Sequence, residues 1–127
     1  MRNDESPLLV RSKQFALRVM RLVDTLPRRS MSTDVIGRQL LRSATSVGAN
    51  YRAACRGRSP AEFCAKLGIV EEEADESIYW LELLADGKIV KRELLTALLD
   101  EANQITAMVV ASLQTAKKGI ANAKRTK

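Results

Sequence analysis

From Leu40 to Ala54 the apolar residues Leu40, Ala44, Val47, Tyr51 and Ala54 recur at steps of 4, 3, 4 and 3. That spacing fits one face of a 3.6-residue helix and cannot fit a strand, whose side chains repeat every second residue. Three further stretches carry the same period: Leu8, Phe15, Val19, Leu22, Leu26; then Phe63, Leu67, Val70, Ala74, Leu81, Leu84; then Leu95, Leu98, Ala102, Ile105, Val109, Leu113. No segment alternates apolar and polar residues over a strand's length, so the fold class is all-α. Ala and Leu, at 16 residues each, are strong helix formers and support that reading.

Punctuation between the seams sets the boundaries. Ser6 before Pro7 reads as an N-cap with proline in the first turn, and Pro27 ends the first helix, giving residues 7–26. The second helix is expected from Ser32 or Thr33 to residue 56, with Gly57 in the left-handed position that closes a helix. Ser59-Pro60-Ala61-Glu62 is a capping box in which Ser59 accepts from the third helical N–H and Glu62 reaches back to the cap. The third helix therefore runs 60–86 and stops at Asp86-Gly87, and the fourth, which lacks a good N-cap, runs 91–117. Residues 118–127 form a basic tail expected to fray. Short connections between long helices place neighbours side by side, which predicts one domain built as an antiparallel up-down-up-down four-helix bundle.

The 127 residues contain no His and only two Cys, Cys55 and Cys64. A disulfide scaffold, a His-based zinc or haem site and any Ser-His or Cys-His relay are excluded. The carboxylates of the third helix bring di-iron bundles to mind, but those need Glu-x-x-His motifs, so no metal and no cofactor are expected. The longest uncharged stretch, Ala102 to Ala116, spans 15 residues and contains Asn103, Gln104 and Thr106, too short and polar for a bilayer. Residues 1–7 carry acids and no apolar core, so the expected location is the cytoplasm, with reduced thiols.

Charge falls in blocks: residues 1–60 carry net +8, residues 61–103 net −7 and residues 104–127 net +5. On a helical wheel Arg38, Arg42, Arg52 and Arg56 share the face of the second helix opposite its apolar seam. Such a stripe is usually a solvated face. It also suits a protein contact or bidentate binding of phosphate. Ser43, Ser46, Gly48, Ala49 and Asn50 are small or polar residues around the same helix that let a neighbour approach closely. Asn50 is expected to fix register or cap a neighbouring element. Glu72, Glu73 and Glu76 on the third helix form a solvated face or an acidic partner for the arginine stripe of another subunit. Tyr79-Trp80, the one adjacent aromatic pair, sits among acids rather than bases and reads as core or subunit-interface packing.

The run Gln39-Leu40-Leu41-Arg42-Ser43-Ala44-Thr45-Ser46-Val47-Gly48-Ala49-Asn50-Tyr51 has a familiar pattern, continued by Arg58-Ser59-Pro60-Ala61-Glu62-Phe63, Lys66-Leu67, Glu73-Ala74-Asp75-Glu76 and Tyr79-Trp80-Leu81. It resembles the bacterial four helix bundle protein family, also called the 23S rRNA intervening-sequence protein family, over about residues 8–117. It is also similar to the accessory variability protein of diversity-generating retroelements. The resemblance implies an antiparallel bundle assembled as a homopentamer ring, with no catalytic residue and no small-molecule substrate. It further implies that RNA or DNA, and a reverse transcriptase, are possible partners through a basic surface. The acidic third helix departs from a simple nucleic-acid clamp and suits alternating contacts between subunits.

Overall fold

A computed structural model describes residues 6–27 and 30–125. These form four helices and no strand: α1 Pro7–Asp24, α2 Met31–Cys55, α3 Pro60–Asp86 and α4 Arg92–Arg125. The all-α expectation holds, and each apolar seam sits where its period places it. Phe15 and Val19 of α1, Leu40 and Val47 of α2, Leu67, Val70, Leu81 and Leu84 of α3, and Leu95, Ile105 and Val109 of α4 are all fully enclosed. Leu22, one step inside the end of its seam, and Phe63 and Leu113, at seam ends, are only half-buried.

The helix ends depart from the sequence reading in instructive ways. Ser6 makes no side-chain cap; its hydroxyl instead meets the Tyr51 phenol of α2 at 3.3 Å. α2 starts before Ser32, because Ser30 is the cap and its Oγ accepts from the Thr33 N–H at 3.1 Å. Ser59 caps α3 as expected, accepting from Glu62 N–H at 3.1 Å, but Glu62 reaches one residue further back, to the Arg58 N–H at 3.4 Å. Gly57 is not left-handed. The left-handed residue is Lys88, at φ 58°, and no described glycine has positive φ. Ile89 N–H bonds Leu84 C=O at 3.0 Å and Lys88 N–H bonds Ala85 C=O at 3.0 Å, a Schellman closure in which lysine occupies a position that favours glycine. Residues 118–125 of the expected tail are helical rather than frayed: α4 continues to Arg125, through residues in which Ala and Lys outnumber the single Gly119 and no proline intervenes, while residues 126–127 lie outside the described residues.

α2 packs most broadly on α3, α3 on α4 and α1 on α2, while α4 closes on α1 through a thinner seam. Among the described residues no diagonal pair of helices brings its backbones within 8 Å Cα to Cα. Small residues mark the close approaches. Ser77 of α3 donates to Ser43 of α2 at 2.9 Å with both side chains fully buried. A Cβ on Gly48 would lie 3.4 Å from Ser12 Oγ on α1, and one on Gly37 would lie 3.2 Å from Leu26.

Candidate interaction surface

The arginine stripe divides once side chains are placed. Arg38 turns along its own helix to Asp34, 3.3 Å away and well exposed. Arg42 reaches across to α3, where it pairs with Glu73 at 3.2 Å and with Glu76, while its Nε donates to Gln39 at 3.1 Å. Glu76 also accepts from the Trp80 indole N–H at 3.2 Å, so the tryptophan is fixed beside the ion pair, with Tyr79 edge-on to it at 5.1 Å. One member of the basic stripe and two acidic candidates thus come together inside one chain. Arg52, Arg56 and Glu72 are exposed and have no ionic partner among the described residues.

The small residues face in different directions. Ser43 points to α3 and Gly48 to α1, while Asn50 donates to its own helix at the Ser46 carbonyl, 3.0 Å away. Asn50 therefore caps no neighbouring element. Ala49, Gly48 and Arg52 line an open groove of about 430 Å³ between α1 and α2, with Val10, Lys13 and Ala16 on its other wall. Its two cations, Lys13 and Arg52, and small apolar floor suit a helix or an anionic chain.

The sequence reading missed two features. Val10, Leu17 and Met20 project outward from α1, and Met31 and Val35 from the start of α2, as exposed apolar side chains. The signal was available, since residues 10 and 17 fall off the α1 seam at seven-residue spacing. The second is a fork between α1 and α4. Arg11 Nε and Nη2 donate to the two oxygens of Glu101 at 2.9 and 2.7 Å, and Nη2 also donates to Gln104 at 2.7 Å. No local pattern joins residues 90 positions apart.

The Arg11 hydrogen bonds, helped by its charge, hold the Glu101 carboxyl below the usual carboxylate range against the opposing effect of partial burial. A carboxylate with a lowered folded pKa contributes stability above its unfolded pKa of about 4.3 and loses it as pH falls through the folded value. Both side chains are partly exposed, which limits the gain to about 1 kcal/mol at neutral pH. Glu101→Gln is expected to lower the melting temperature at pH 7 and to lose less stability than the wild type between about pH 5 and pH 2. Parallel acid-induced losses in thermal melts of the two proteins would contradict it.

Cys55 and Cys64 are both free and half-buried. Among the described residues no three carboxylates or thiols gather at metal-binding distance. Contrary to the reading of its uncharged stretch alone, α4 as a whole is long and apolar enough, by length and composition, to cross a membrane. Here Leu95, Leu98, Ala102, Ile105 and Val109 of that helix are spent on the bundle core.

The family model of the 23S rRNA-intervening sequence protein matches residues 6–111. The chain belongs to that family. Its fold is shared by the crystal structure of a protein of unknown function from the S23 ribosomal protein family of Bacteroides thetaiotaomicron, with 33% identity and a TM-score of 0.78. That alignment covers 84% of this chain and 97% of the other. No curated protein matches. The family match takes in Arg42, Glu73, Glu76 and the α1–α2 groove but ends at Ala111, leaving the last 14 residues of α4 outside it.

Proposed function

We propose that the protein is a noncatalytic assembly protein of the cytoplasm: an antiparallel up-down-up-down bundle whose copies join in a homopentamer ring and act through surface contacts. The observation that carries this reading is the set of outward apolar side chains, Val10, Leu17 and Met20 on α1 with Met31 and Val35 on α2, beside a groove with small walls. Val10 and Leu17 share one side of α1 two turns apart, and an exposed apolar face of this kind favours a protein interface. The antiparallel order is supported by where neighbours meet: Ser6 by Tyr51 at one end of α1 and Leu26 by Gly37 at the other. The ring number rests on the family resemblance.

Native mass spectrometry with and without nuclease tests the reading. A mass of five chains, unchanged by nuclease, is the expected result. The double variant Val10→Asp/Leu17→Asp, altered at exposed positions, is expected to fall to single chains with its helical circular dichroism intact. A wild type that runs as one chain, or a variant that keeps the ring, would overturn the proposal.

A second reading is a nucleic-acid-binding accessory protein, with a reverse transcriptase as a further partner. It is favoured by Arg52 and Arg56, which have no acidic partner among the described residues. Phosphate binding through them would weaken steeply with salt, and mass lost on nuclease treatment would make it the working function.

A further inference from the structure

Beside Lys117, Lys118 and Ala121 the open surface of α4 is lined, among the described residues, by α4 alone. Phe63, in the first turn of α3, shares an open surface hollow with Ala111, Ser112, Thr115 and Ala116, which places that stretch of α4 beside the start of α3. Residues 117–125 stay helical and add an arm of about 13 Å at 1.5 Å per residue. This arm is outside the family match, which stops at residue 111.

The arm has a charge pattern. Lys117 and Lys124 are seven residues apart, as are Lys118 and Arg125, and at 100° per residue all four fall within about 120° of one side. Each cation is exposed, none has an acidic partner among the described residues, and no acid follows Glu101. α3 carries the complementary pattern. Asp75 and Glu82 are likewise seven residues apart, with Glu72 on the same outward side, and all three are exposed without a cationic partner among the described residues. Two turns of helix separate the charges by about 10.5 Å in both ladders. The arm cannot reach these acids in its own chain. Asp75 lies about 18 Å along α3 from Phe63, toward the end that residues 87–91 tie to the start of α4.

We infer that the basic arm Lys117–Arg125 docks on the acidic outer face of α3, at Glu72, Asp75 and Glu82, in a second copy of this chain. The contact joins two different patches, so each copy gives one arm and receives one, and repetition closes a ring or extends a filament. It rests on the self-assembly reading and assigns a binding role to the segment the family match leaves out. Exposed charge pairs are screened by salt, so the contact weakens as ionic strength rises.

The test is a charge swap in the full chain, read by native mass spectrometry and by sedimentation over a concentration series. Lys117→Glu/Lys124→Glu is expected to weaken self-association at least about 10-fold, since opposed like charges replace pairs. Adding Asp75→Lys/Glu82→Lys to the same chain is expected to restore it, which a purely structural effect of either pair would not do. An unchanged assembly in the double variant overturns the arm contact while leaving the assembly reading intact. A wild type that is a single chain at every concentration overturns both. Loss of a nuclease-sensitive mass in the Lys→Glu variant, with the protein assembly unchanged, overturns the contact in favour of a phosphate backbone as the arm's partner.

Discussion

Phe15→Ala is expected to destabilise the bundle by about 3–5 kcal/mol, the loss typical of a buried phenylalanine truncated without collapse of the cavity. Phe15 is 1% exposed and sits in the middle of α1, between Leu8 and Val19, which are its companions in the core. α1 has less to hold it than its neighbours, since it leans on α2 and meets α4 only along the thinner seam. A domain of this size has about 5–15 kcal/mol in total, so the variant stands close to unfolding at room temperature. Urea denaturation followed by circular dichroism reads the shift in midpoint. A midpoint within experimental error of wild type would show that α1 contributes little to the core.

The second large effect is expected at Ser77. Its hydroxyl touches Ser43 Oγ at 2.9 Å and the Glu73 carbonyl at 2.9 Å, and neither serine is exposed to solvent. Two explanations for small polar residues there make different forecasts. If the hydrogen bond is what matters, Ser77→Ala costs most of the effect; if the close approach of α2 and α3 matters, Ser77→Leu does. Ser43 keeps a bond to the Leu40 carbonyl at 3.2 Å when Ser77 is removed, so no buried hydroxyl is orphaned. Ser77→Ala is therefore expected to cost about 0.5–1.5 kcal/mol. Ser77→Leu must force apart the broadest helix contact in the molecule and is expected to cost about 2–3 kcal/mol. Thermal melts of the pair decide it, and equal losses would contradict the steric account.

Core positions could be read from the sequence because burial imposes a period that a single helix displays by itself. Leu40, Ala44, Val47, Tyr51 and Ala54 needed no knowledge of what lay opposite, and all five are buried. Ser59 likewise signals its cap through a partner three residues away. Signals failed where the outcome depended on comparing neighbours. Gly57 offered the residue type suited to a left-handed turn, yet Lys88 adopts that conformation, because the turn after α3 folds back through Ile89 onto Leu84. The arginine stripe was visible as a face, but a helical wheel does not say which cation finds an acid. Arg42 finds Glu73 and Glu76 across the α2–α3 contact, whereas Arg38 finds Asp34 on its own helix. Arg11 and Glu101 could not be matched from sequence, since only the packed bundle brings the two ends of the chain together.

Three of the four helix contacts join elements that follow one another in the chain, and only the α1–α4 seam joins its two ends. Hairpin-like neighbours close over short loops at small entropic cost, so most of this topology is local and suits rapid folding. The α1–α4 seam differs, because its residues meet only after the intervening helices have ordered. With its few contacts, and the Arg11–Glu101 fork as their main polar tie, it is expected to be the last join to form and the first to part, which hydrogen exchange at α1 would read. The bundle is thus a three-helix layer, α2 to α4, with α1 as its latch.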